Sequence, residues 1–263
     1  HLCSPTCRRQ SSQARSQTGA APTNLELMTG KPRRVIFTCP YSELPVLTIS
    51  NLSLTYPGYP PLATLSLDLQ SGEQIALLGR SGTGKSTLLT AIVQGSPDIH
   101  LQTTRIAYLS QQPALLPWAS VIDNVLLGFT LRGEDIAEED VQRAKQLLKA
   151  VDLHMLSERQ ASQLSGGQRA RVALARALVE DADLVLLDEP FASLDRSTRI
   201  QMAQLCQQLL PGKTVILVTH DPRDAHHWLD RAMVLTTTTL KGPFSLSDFE
   251  SDELLIQDLE EDP

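Results

Sequence analysis

At 263 residues, 41% of them hydrophobic, the chain is long enough to bury a real core in one generous domain. No apolar run approaches the roughly 18 residues that a membrane-crossing helix needs. A formal net charge of −7 and a mildly acidic middle argue against nucleic-acid binding, which requires a positive footprint.

Residues 1–45 are rich in Ser, Gln, Thr and Pro, and up to position 40 they carry six basic side chains against Glu26 alone. Without hydrophobic periodicity they read as a disordered leader or an extension ahead of the native start, for which Met28 is a candidate. Cys3, Cys7, Cys39 and Cys206 lack a second pair at metal-ligand spacing. Neither a zinc site nor a disulfide framework is expected, and a reducing compartment fits.

Over 46–69 apolar and polar residues alternate (Leu47, Ile49, Leu52, Leu54), as in antiparallel strands with one buried face. Four apolar runs, 75–78, 105–109, 184–187 and 215–218, read as strands buried on both faces, the mark of a parallel sheet. Helical patterns occupy 86–94, 137–151, 166–179 and 197–210, and between 110 and 164 no strand interrupts them. This alternation predicts an α/β sandwich over 46–240, with a helical insert at about 112–168. Eight acidic residues and no basic one follow from Asp248, so 241–263 reads as an acidic tail.

The first of those buried strands runs into Gly79-Arg80-Ser81-Gly82-Thr83-Gly84-Lys85-Ser86-Thr87, and a helical pattern follows at once. Strand, glycine-rich turn and helix are the context a phosphate-binding loop requires. Gly82 and Gly84 let the backbone close around a phosphate and present N–H groups to its oxygens. Lys85 adds a positive charge, Ser86 Oγ is a ligand for Mg²⁺, and the helix start turns its positive end toward the anion. ATP with Mg²⁺ is the expected ligand.

The strand at 184–187 ends in Asp188-Glu189-Pro190. A core strand accounts for the aliphatics but not for two acids at its carboxyl end, where ligands sit in open α/β sheets. Asp188 is expected to hold Mg²⁺ through water, which that ion gives up reluctantly. Glu189 as a plain helix-start acid before Pro190 is the structural alternative. The next strand ends in His220, about 30 residues on. Leu164-Ser165-Gly166-Gly167-Gln168 starts the helix at 166, and structurally it is a Ser/Gly turn at a helix start.

With the phosphate loop, the acidic pair and LSGGQ present in this order, the chain resembles the ATP-binding cassette (ABC) family over roughly 46–240. The resemblance implies a P-loop NTPase fold: a RecA-like α/β core, an N-terminal antiparallel β subdomain and an inserted helical subdomain. It implies that Glu189 polarises the attacking water and that His220 contacts the γ-phosphate. Gln111 rather than Gln112 would touch Mg²⁺ and the water, and Tyr56, with Tyr59 as rival, would stack on adenine. Phe191-Ala192-Ser193-Leu194-Asp195 resembles the loop that crosses the family's dimer interface; a cap for the following helix within 193–197 is the structural alternative, and the two are compatible. Ser165, Gly166, Gly167 and Gln168 would complete the ATP site of a second cassette packed head-to-tail.

The family resemblance also implies partners: a second cassette, transmembrane permease subunits and, through them, a periplasmic solute-binding protein. It places the chain at the cytoplasmic face of a bacterial inner membrane. Trp118, in Leu115-Leu116-Pro117-Trp118, suits docking on such a partner, with ordinary packing as the alternative. The sequence is most similar to importers of nitrate, sulfonates, taurine or thiamine precursors. The rival reading is an ABC ATPase that acts mechanically, in lipoprotein release or cell division.

Overall fold

The computed structural model describes residues 45–54, 63–103, 105–112, 114–192, 194–226 and 228–246. The predicted leader, Tyr56, Tyr59 and most of the acidic tail lie outside the described residues.

Alternating apolar residues pair β1 (Leu47–Leu54) with β2 (Ala63–Leu69) in antiparallel register, and β1 also pairs antiparallel with the short β4 (Ile99–Leu101). The second sheet runs in the order β5-β6-β7-β3-β8-β9. Its strands β3 (Gln74–Leu78), β5 (Ile106–Leu109), β6 (Leu184–Asp188), β7 (Thr214–Val218) and β8 (Arg231–Leu235) pair in parallel. Only β9 (Leu240–Ser245) runs antiparallel, along β8. The strand β9 crosses the boundary expected at 240, and Leu246 beyond it is buried.

Because side chains alternate along a strand, the parallel sheet feeds two separate cores. Ile75, Leu77, Leu184, Leu186, Ile216 and Val218 pack toward β1, β2 and Leu88, Leu89 and Ile92 of α1 (Lys85–Gln94). Ala76, Leu78, Val185, Leu187, Val215 and Leu217 pack on the other face with α5 (Gly166–Val179) and α6 (Arg196–Leu209). The continuous aliphatic runs therefore record a sheet covered on both sides. Burying six such side chains on one face contributes about 10 kcal/mol or more of transfer free energy.

Between β5 and α5 the described chain is helical: α2 (Val121–Val125), α3 (Leu127–Arg132), α4 (Glu138–Ala150) and two short 3-10 turns. This subdomain sits on the α5 side of the sheet through Val121, Val125, Leu147 and Leu148. A last short helix, α7 (Arg223–His226), follows the end of β7. The fold thus brings the carboxyl ends of β3, β6 and β7, neighbours in the sheet, to one edge.

Candidate functional site

At that edge Gly79 leaves β3 with φ 145°, and a Cβ there would run into the carbonyl oxygen of Leu235. Only glycine makes this exit. Gly82 also takes a positive φ, and space around it is open on the side a Cβ would occupy. Thr83 Oγ1 donates to Arg80 O at 3.0 Å and ties the turn together. Gly84 caps α1 in the left-handed conformation, with no side-chain cap and no acid in the first turn. The first N–H groups of α1 are thereby left for an anion rather than spent on a local partner.

Lys85, only 6% exposed, points its ammonium back into the loop and donates to Gly79 O (2.6 Å) and Arg80 O (2.7 Å). The cation is thus delivered to the inside of the turn. Ser86 Oγ donates to Asp188 Oδ1 at 3.1 Å, joining the start of α1 to the end of β6 across 102 residues of chain. Asp188 is 2% exposed, and Tyr108 on β5 reaches its other oxygen at 3.5 Å. Burial raises the Asp188 pKa above the usual carboxylate range, against the Ser86 hydrogen bond; the neighbouring Glu189 adds to the rise and Lys85 opposes it.

Glu189 has φ 49°, a left-handed conformation that a side chain other than glycine adopts at a cost of about 1–3 kcal/mol. Its N–H still donates to Val218 O at 2.9 Å, so the strained residue is held in the sheet. Its carboxylate meets Nδ1 of His220 at 2.8 and 2.9 Å. Nδ1 is therefore the ring nitrogen engaged with the carboxylate, and Nε2 stands outside that pair. His220 also faces Gly79, Arg80 and Ser81 across a cleft of about 400 Å³. Behind it, Thr219 Oγ1 donates to Asp224 and accepts from the Asp221 N–H, while Arg199 and Arg223 hold the Asp221 carboxylate.

The loop, Lys85, Ser86, Asp188, Glu189 and His220 are therefore one constellation. Other predicted residues stand apart. Gln111 is exposed on a bend after β5. Asp195 caps α6, accepting from the N–H groups of Ser197 and Thr198 and from both hydroxyls, which draw its pKa well below the usual carboxylate range. Ser165 caps α5 in a reciprocal box: its Oγ accepts from Gln168 N (3.2 Å) and Gln168 Oε1 accepts from Ser165 N (2.9 Å). The space a Cβ would need is open at Gly166, whereas Gly167 backs onto Leu194.

The residues fit ATP with Mg²⁺. An uncapped helix start, a glycine cradle with open space and an enclosed lysine suit a polyphosphate. The hydroxyl of Ser86 and the carboxylate of Asp188 form an oxygen set of the kind Mg²⁺ takes. Tyr108 was not anticipated; a lone aromatic in a strand looks like packing until its hydroxyl is seen against Asp188.

The ABC transporter family signature matches residues 62–192. An ABC transporter ATP-binding protein of Haemophilus influenzae is 42% identical over 72% of this chain and 82% of its own length. The chain belongs to the ABC transporter ATP-binding protein family. Aliphatic sulfonates import ATP-binding protein SsuB 2 of Mesorhizobium japonicum is 42% identical over 73% of this chain and 78% of its own. Taurine import ATP-binding protein TauB of Escherichia coli K12 is 43% identical, over 68% and 75% respectively. Among solved structures, a dimeric ATP-binding cassette in a post-hydrolysis state with ADP and phosphate superposes with a TM-score of 0.68. It is 29% identical and covers 76% of this chain and 98% of that one. As a member of this family, the chain is an ATPase with the P-loop cassette fold.

Proposed function

We propose that this chain is the ATP-hydrolysing subunit of a bacterial ABC importer, working as a pair of cassettes beneath transmembrane permease subunits. The observation that carries the reading is the Glu189–His220 hydrogen bond, set across a cleft from the phosphate loop. The import direction and a small sulfonate-type solute rest on the likeness to the SsuB and TauB proteins. No described helix is long and apolar enough to cross a membrane. Attachment at the cytoplasmic face through the permease rests on the likeness to importer subunits. Trp118 (71% exposed), Leu131 (76%) and Met155 (82%) on the helical insert are among the exposed apolar side chains available to it.

In this reading the loop amides and Lys85 bind and orient the β- and γ-phosphates of ATP. Ser86 Oγ and Asp188 would hold Mg²⁺, which supplies charge neutralisation on the phosphate oxygens when bound. Glu189, hydrogen-bonded to His220, takes the proton of the attacking water. His220 fixes the Glu189 carboxylate and turns Nε2 toward the cleft. Gln111 reaches the same water from the β5 end, and Tyr56 stacks on adenine. Ser165, Gly166 and Gly167, exposed or half-buried at the start of α5, serve as the second half of a partner's site, with Asp195 at that seam. A periplasmic binding protein delivers solute to the complex.

Glu189→Gln tests the catalytic assignment. Turnover is expected to fall about a hundredfold or more, the scale of general-base catalysis, while ATP binding persists. Near-normal turnover would remove Glu189 from that role.

A further inference from the structure

The segment that carries Gln111 is tethered at two ends. Upstream, Leu109 is paired with Leu187 inside the parallel sheet. Downstream, Nη1 of Arg176 on α5 donates to the carbonyl oxygen of Ala114 at 2.7 Å. Gln111 stands three residues before that carbonyl, a reach of about 10 Å at full extension. Within this short span, Ser110 Oγ donates to Gln112 O at 2.9 Å. Gln111 therefore stands between an anchor on the sheet and an anchor on α5.

Arg176 is placed for this by the helix it belongs to. It lies three turns beyond Ser165 on α5, and a straight helix carries displacement over that distance, about 16 Å, without absorbing it. One turn on, Glu180 of the same helix end accepts from Arg132 of α3 at 2.9 Å, so this end of α5 is braced against the insert. The stretch after Ala114 is held separately. Asn124, fully buried on α2, accepts from Leu116 N at 2.7 Å and donates to Leu116 O and Ser120 O. Asn124 shapes the insert internally, whereas Arg176 alone among these ties the Gln111 segment to the helix that starts at LSGGQ.

We propose that Arg176 is the positioning residue for Gln111: through Ala114 O it sets where Gln111 stands relative to the phosphate loop, and it passes movement of the Ser165 end of α5 to that position. The inference rests on the reading that Gln111 meets the attacking water. Arg176 itself touches neither nucleotide nor water. Lysine at 176 would keep the charge and one donor but lose the planar fork that fixes the direction of the hydrogen bond.

The test is a double-mutant cycle on ATP turnover of the full chain, with Arg176→Met, Gln111→Ala and the double variant. Arg176→Met is expected to lower kcat about tenfold with KM for ATP within about twofold, and Arg176→Lys to recover part of the loss. In the Gln111→Ala background, Arg176→Met is expected to add no further loss. Independent, multiplicative losses would overturn the positioning role while leaving Gln111 in the site. Full turnover of Gln111→Ala would overturn the reading of Gln111, and the proposal with it. If Arg176→Met does not fold, the same cycle with Arg176→Lys decides by the same criterion.

Discussion

Helices α1 and α5 both start at a glycine-rich turn, yet they are finished differently. The start of α1 has no side-chain cap and is built from distant parts: β3 leads in, Asp188 joins from β6, and His220 faces it from β7. The start of α5 is closed by its own residues, with Ser165 and Gln168 capping each other, and it lies exposed. An uncapped helix start inside a loop is unfinished without an anion, whereas a self-capped one is stable alone and can only add to something brought against it. In the proposed function the first is a site and the second is a surface for a site. What α5 still offers is the hydroxyl proton of Ser165 and the N–H groups of Gly166 and Gly167.

The sharpest break of this contrast is Lys85→Ala. Removing the enclosed ammonium should weaken ATP binding by the isolated chain by about 2–3 kcal/mol, roughly 30- to 150-fold in Kd, measured by titration with a non-hydrolysable analogue. Unchanged affinity would mean that the α1 end is not the phosphate site.

Asp188→Asn sharpens the contrast by separating stability from activity. Burial raises the Asp188 pKa, so the folded chain binds this proton more tightly than the unfolded chain does. Stability contributed by this group therefore falls as pH rises from the usual carboxylate value through the raised one, and above the raised value the full cost of the buried charge is present. Asparagine keeps an acceptor for Ser86 and drops the charge. The variant is expected to melt above the parent at neutral pH and to lose Mg²⁺-dependent turnover. A lower melting temperature would show that the carboxylate is already compensated within the fold.

Ser165→Ala should have the smallest effect on the isolated chain. Loss of the cap costs about 1 kcal/mol in denaturant titration, and ATP affinity should stay unchanged while turnover drops. A parallel loss of affinity would place α5 in the chain's own nucleotide site.

The same contrast explains what could be read from the sequence. The capping box of α5 is local, and so are the glycine turn and the aliphatic runs; each announces itself within a few residues. The acidic pair was legible because its position at a strand end has no packing explanation. Other features depend on partners far along the chain. Arg176 looks like any arginine on a helix until Ala114 is brought to it, and Asn124 reads as polar surface until the insert folds over it. Strand β8 is announced only by the apolar run Ala232-Met233-Val234-Leu235, with no motif after it. Glu189 gives no sign of its left-handed backbone, which the sheet imposes through Val218.

The central claim is that the α5 surface of one chain completes the α1 site of another. Mixing two inactive variants of the full chain, Lys85→Ala and Gly166→Trp, tests it directly. Each homodimer lacks one half of both of its sites, but a mixed pair contains one site with an intact Lys85 from one chain and an intact Gly166 from the other. The account predicts that the mixture hydrolyses ATP when neither variant does so alone. A mixture as inactive as its parts, with mixed pairs demonstrably formed, would contradict it.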